Sequence, residues 1–131
     1  MKEETEYALS KLKDAFIKLK EGTEAAEDEL DKDGVIQRFE FTFELLWKAL
    51  KIFLEDSGIE AKTPKESLKR AFKVGWLREE QVFLDMLEDR NKTSHIYDKE
   101  TSEEIFERIK TIYLLTMENL LERLKMIGIE N

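Results

Sequence analysis

Apolar residues recur at helical spacing along nearly the whole chain, and its glycines and single proline divide that pattern into segments. Over residues 3–21, Tyr7, Leu9, Leu12, Ala15, Phe16 and Leu19 make one apolar side, with Gly22 expected to end the helix. After an acidic stretch from Glu24 to Asp33, a second helix is predicted with Asp33 as its N-cap and Gly58 as the left-handed residue beyond its last turn. At 1.5 Å per residue it would be about 35 Å long. Ile36, Phe39, Phe43, Leu46, Leu50 and Phe53 recur on it at spacings of 3, 4, 3, 4 and 3, the seam of a bundle. Phe41, Leu45, Ala49 and Ile52 form a second stripe, and Trp47 and Leu54 a third. A helix apolar on so many sides must be covered on several of them, and a second subunit is a natural supplier of part of that cover.

Thr63-Pro64-Lys65-Glu66 combines an N-cap, a proline at the first helical position and a glutamate at the third, so a short helix begins there and ends at Gly75. Leu77 to Arg90 reads as a fourth helix carrying Val82, Phe83, Met86 and Leu87 inward. Thr101-Ser102-Glu103-Glu104 reads as a capping box opening a last helix through Ile105, Ile109, Ile112, Tyr113, Leu120 and Leu124 toward Gly128. Neither strand alternation nor an internal repeat is present. The chain is expected to be one all-α domain over residues 1–131, an up-and-down bundle of about five helices, four long and one short.

Composition narrows the chemistry. With 131 residues and no cysteine, one domain can bury an adequate core without disulfides, and cysteine zinc sites are excluded. The single histidine disfavours zinc or copper, leaving only Mg²⁺-like carboxylate chemistry for a metal; no metal or other cofactor is expected. The net charge of −8 repels nucleic acid and anionic lipid, so RNA would need a local basic patch. No apolar run approaches the roughly 20 residues of a membrane span, and MKEETEY does not open a signal peptide; a cytoplasmic location is the expectation.

Reactive side chains converge in Leu87 to Asp98, which contains Arg90, Asn91, His95 and Tyr97. On an unbroken helix, residues five apart point roughly 140° away from one another, so Arg90 and His95 would diverge. A break at Asn91 to Ser94, mostly turn and cap formers, would fold them toward a common cleft with Tyr97 nearby. Histidine titrates near neutrality, and a guanidinium can hold two phosphate oxygens. The structural alternative has Arg90 capping helix carbonyls, His95 satisfied in packing and Tyr97 half-buried. Elsewhere, Glu40 and Glu44 stand one turn apart, but Lys48 four residues beyond Glu44 favours an ordinary ion pair over paired carboxylates. The acidic stretch lacks EF-hand order, and Trp47 and Trp76 are better core or interface anchors than base-stacking platforms.

The string Arg90-Asn91-Lys92-Thr93-Ser94-His95-Ile96-Tyr97 resembles the motif of the HepT-type HEPN proteins, also described as nucleotidyltransferase substrate-binding proteins. The likeness extends over nearly the whole chain, through Arg38 to Lys48, Thr63 to Glu66 and Gly75-Trp76-Leu77. The resemblance implies a homodimer whose two motifs face one cleft, and a metal-independent ribonuclease toxin. Arg90 and His95 would be its catalytic residues, with Asn91 the accompanying polar residue. It also implies a cognate minimal nucleotidyltransferase acting as antitoxin, which adenylylates Tyr97. A different reading is a non-catalytic subunit that presents a substrate or nucleotide to that nucleotidyltransferase, and a third is a purely structural helical module. If RNA is the substrate, the basic run Lys65, Lys69, Lys73 and Arg78 is the candidate patch for its backbone; a solvated face is the alternative.

Overall fold

In this computed structural model residues 2–93 and 98–130 are described, and every regular element among them is helical. The helices are α1 (Glu3–Ala25), α2 (Glu29–Asp56), α3 (Pro64–Lys73), α4 (Glu80–Thr93) and α5 (Lys99–Arg108). A single π-helical turn, Ile109–Tyr113, carries α5 directly into α6 (Leu114–Glu130). Counting α5 to α6 as one rod, the described chain is four long helices and one short one, as the periodicity predicts. Long-range ion pairs show how they run. Lys2 meets Asp56 at 2.8 Å, which sets α1 antiparallel to α2, whereas Lys32 meets Glu103 at 3.0 Å, which places the starts of α2 and α5 side by side.

Several boundaries move from their expected places. Asp28, not Asp33, caps α2: its carboxylate accepts from the Asp31 backbone N–H at 2.8 Å, and Asp31 reaches back to the Asp28 N–H. This reciprocal box uses aspartate where glutamate or glutamine is usual. Gly22 lies inside α1, which runs on to Ala25: Gly22 adopts no left-handed turn, and the Thr23 hydroxyl donates to the Leu19 carbonyl at 2.7 Å. Asp98 opens α5 by accepting from the Thr101 N–H at 2.7 Å, so Thr101 lies in the first turn rather than at the cap. The rod also continues past Gly128 to Glu130.

Other punctuation acts as read. Gly58 (φ 81°) and Gly75 (φ 89°) take the left-handed conformation that ends α2 and α3. Beyond them Ile59 and Trp76 donate back to Leu54 and Ala71 at 2.8 and 2.9 Å. Thr63 accepts from the Glu66 N–H at 3.1 Å with Pro64 in the first helical position. Residues 76–79 do not join α4. They are fastened to α6 instead, with Arg123 donating to the Trp76 carbonyl at 2.9 Å and pairing with Glu79 at 3.5 Å.

The predicted seam of α2, Ile36 through Phe53, is buried throughout. It packs with Leu12, Phe16 and Leu19 of α1, Leu68 of α3, Phe83 and Met86 of α4, and Ile105, Ile109, Leu120 and Leu124 of the last rod. Three residues expected on apolar faces are exposed. Tyr7 is 66% exposed, because five residues separate it from Leu12 and it turns off the inward face. Phe41, in the second stripe of α2, is 60% exposed. Ile112 is 44% exposed because Tyr113 takes the inward position. Ile105, Ile109, Tyr113 and Met117 follow at intervals of four, which would drift around an α-helix; the wider π turn, closed by the Leu114 N–H on the Ile109 carbonyl, keeps them on one face.

Candidate functional site

The site forms where the last turns of α4 cross the middle of α2. Helix α4 does not break at Asn91; it continues through Asn91, Lys92 and Thr93, with the Thr93 hydroxyl donating to the Arg90 carbonyl at 2.7 Å. Ser94, His95, Ile96 and Tyr97 lie outside the described residues. The readings placed on His95 and Tyr97 therefore remain those of the sequence.

Among the described residues, Arg90 donates to side chains rather than to helix carbonyls. Its Nη2 pairs with Glu44 Oε2 of α2 at 2.5 Å, and its Nη1 donates to the Asn91 side chain oxygen at 3.3 Å. Both partners of the ion pair are about one-third exposed, 32% for Arg90 and 31% for Glu44, so the guanidinium borders solvent. Asn91 itself is exposed. Glu44 is fixed from its own helix. Trp47 Nε1 donates to Oε2 at 3.1 Å, and Lys48 Nζ approaches Oε1 at 3.3 Å while lying 6.0 Å from the centre of the Trp47 ring. Burial opposes ionisation of Glu44, but the bonds from Trp47 and Lys48 and the charge of Arg90 outweigh it and hold the carboxyl below the usual carboxylate range. The expected Glu44–Lys48 ion pair is thus present; its cross-helix partner Arg90 carries no local sequence signal.

A buried network anchors the same stretch of α4. Asp89, only 3% exposed, accepts from Arg108 Nε and Nη2 at 2.8 and 2.9 Å and from the Tyr113 hydroxyl at 2.5 Å. Tyr113 in turn stacks on Phe39 with ring centres 5.5 Å apart. Burial, then the Asp89 bond, pushes the Tyr113 hydroxyl well above the ordinary tyrosine range, so it stays a proton donor. One signal of this network was present in the sequence. Asp89 follows Phe83 and Met86 at intervals of three, a carboxylate set on an apolar stripe.

Beside the end of α4 lies a depression of about 410 Å³ whose described walls include Glu29, Asp33 and Glu40 of α2, Thr93, and Asp98 and Ser102 at the start of α5. Its rim is mainly acidic, whereas Arg90 and Lys48 give the Glu44 cluster a net positive charge. Lys65, Lys69 and Lys73 are exposed and share a shallow concavity on α3 with Arg70, which pairs with Glu66 at 3.1 Å. Arg78, also exposed, lies beyond Gly75 and does not line it. Trp47 and Trp76 are half-buried against the core, the latter edge-on to Phe53 at 6.2 Å. Among the described residues no helix is long and apolar enough to cross a membrane.

Comparison with known proteins agrees with this architecture. A protein of Thermus thermophilus known from a crystal structure is 40% identical, with a TM-score of 0.79 over 86% of this chain and 98% of that one. A Haemophilus influenzae protein, whose structure was described as the fold of a substrate binding domain of a nucleotidyltransferase, is 27% identical, with a TM-score of 0.77 over 89% of this chain and 98% of that one. By sequence, a probable ribonuclease HepT from Haemophilus influenzae is 32% identical over 97 residues, which span 70% of this chain and 66% of that relative. Residues 6–126 match the family described as nucleotidyltransferase substrate binding protein like, and the chain belongs to that family.

Proposed function

We propose that the protein is a HEPN-type, metal-independent ribonuclease toxin held in check by a cognate minimal nucleotidyltransferase. The observation that carries this reading is Arg90, kept at the solvent border of the α2–α4 crossing by a carboxylate rather than spent on helix capping. The family description supports the nucleotidyltransferase partner, and the probable ribonuclease among the relatives supports the activity.

Cleaving RNA without metal requires a base for the ribose 2′-hydroxyl, an acid for the departing 5′-oxygen and a cation at the pentacoordinate phosphate. The 2′-oxygen bonds to phosphorus, the 5′-oxygen leaves with a proton, and a 2′,3′-cyclic phosphate and a 5′-hydroxyl remain. One histidine cannot readily fill both proton roles at once. A two-fold dimer supplies two copies each of His95 and Arg90, with Asn91 beside each arginine. Lys65, Lys69, Lys73 and Arg78 would meet the RNA backbone away from the acidic rim.

Silencing follows from transfer of AMP from ATP to the Tyr97 oxygen with release of pyrophosphate, which places a bulky anion where substrate phosphates would approach. Tyr97→Phe should cleave RNA as the wild type does and take no label from the nucleotidyltransferase with radiolabelled ATP. Full labelling of Tyr97→Phe would remove Tyr97 from this role. A second reading, a binding subunit that presents a substrate to the nucleotidyltransferase, is also consistent with the family description.

A further inference from the structure

Glu44 is the point where two cations from different helices meet. Arg90 of α4 holds one carboxylate oxygen at 2.5 Å, and Lys48 of α2 holds the other at 3.3 Å. The carboxylate is pinned further by the Trp47 indole N–H, and it rises from a helix whose neighbouring Phe43 and Leu46 are fully buried. We propose that Glu44 is the positioning residue of this site, holding the Arg90 guanidinium in one orientation for phosphate, and that Lys48 keeps the cluster cationic. The proposal rests on the ribonuclease reading and names the residue on which its arginine depends.

An arginine side chain has many rotamers, and a guanidinium meant to meet a phosphate gains if one edge is already fixed. Glu44 fixes Nη2, and Asn91 meets Nη1. A lone glutamate beside Arg90 would cancel the charge that a phosphate needs. Lys48, 54% exposed, restores it, so the three side chains together carry one net positive charge. Glu44 therefore orients the arginine without neutralising the site.

Positioning and simple charge balance predict opposite outcomes for Glu44→Gln, which keeps shape and removes the negative charge. If Glu44 only tempers the local charge, the variant should bind RNA more tightly, with lower KM and unchanged kcat. If it positions Arg90, kcat should fall by about 10- to 100-fold, with KM changed far less. A second measurement is independent of activity. Nitrogen-15 NMR of the arginine side chains should show slow rotation of the Arg90 guanidinium in the wild type and fast rotation in Glu44→Gln, with the backbone spectrum otherwise retained.

Lys48→Gln should raise KM and leave the Arg90 signal slow. Unchanged kcat in Glu44→Gln, or an Arg90 guanidinium equally mobile in both proteins, overturns the proposal. Absence of cleavage by the wild type would instead count against the ribonuclease reading. The NMR comparison would then decide alone whether Glu44 holds Arg90.

Discussion

Asp89 is a buried carboxylate that the fold tolerates because Arg108 and Tyr113 supply three hydrogen bonds to it. Removing Arg108 takes away the cation that donates two of those bonds and leaves the buried carboxylate with the Tyr113 hydroxyl and the Lys92 ammonium 4.0 Å away, which costs more than an intact pair contributes. Arg108→Ala should therefore destabilise the protein by about 3 kcal/mol, read from urea denaturation of the purified chain. A loss below about 0.5 kcal/mol, the ordinary range for a surface change, would mean that Asp89 finds other compensation. The same network ties the residue preceding Arg90 to the last helical rod, so the variant should also loosen the end of α4. Glu44 and Asp89 show what spacing hides at this scale. The Glu44–Lys48 pair was legible because helical neighbours four apart meet by construction. The Glu44–Arg90 pair crosses 46 residues and depends on how α2 and α4 pack.

Among the elements, those with strong local chemistry were legible in the sequence. Thr63 and Pro64 opened α3 where expected, and Gly58 and Gly75 closed their helices because only a residue without Cβ takes the left-handed turn cheaply. Misplaced ends came from caps with competitors. Asp28 and Asp33 both precede apolar periodicity, and the reciprocal bond with Asp31 decides for Asp28. The π turn was hidden because a four-residue spacing is ordinary in any helix and only its repetition through Met117 betrays the extra residue.

Helix α3 carries the prediction that belongs to this scale. If its exposed lysine face follows RNA, Lys69→Glu with Lys73→Glu should weaken binding and lower the slope of log affinity against log salt by roughly 1.4, at about 0.7 per single-strand phosphate contact. Fluorescence anisotropy of a labelled oligonucleotide across a salt series measures both. An unchanged slope would leave the lysines as a solvated face.

At the scale of the whole molecule, a chain of net charge −8 must confine any RNA contact to a small cationic region. Arg90 with Lys48, and the α3 lysines, are such regions, while the depression beside the end of α4 is rimmed by acids. The helical class and the bundle seam were readable because they depend on periodicity and residue type, whereas the stretch around Arg90 was singled out by its residue types and by the family resemblance. His95 and Tyr97 were picked out by residue type and by the motif string Arg90 to Tyr97. Under the proposed mechanism, the need for two histidines would make a dimer the unit of activity.

The most direct test of that account is cleavage of a mixed RNA pool in excess EDTA by the wild type and by His95→Ala, with equal folding and dimerisation confirmed and Tyr97 shown by mass to be unmodified. Cleavage by the wild type that leaves 2′,3′-cyclic phosphate ends and disappears in His95→Ala is the predicted result. Equal cleavage by both proteins, or none by either, would contradict it.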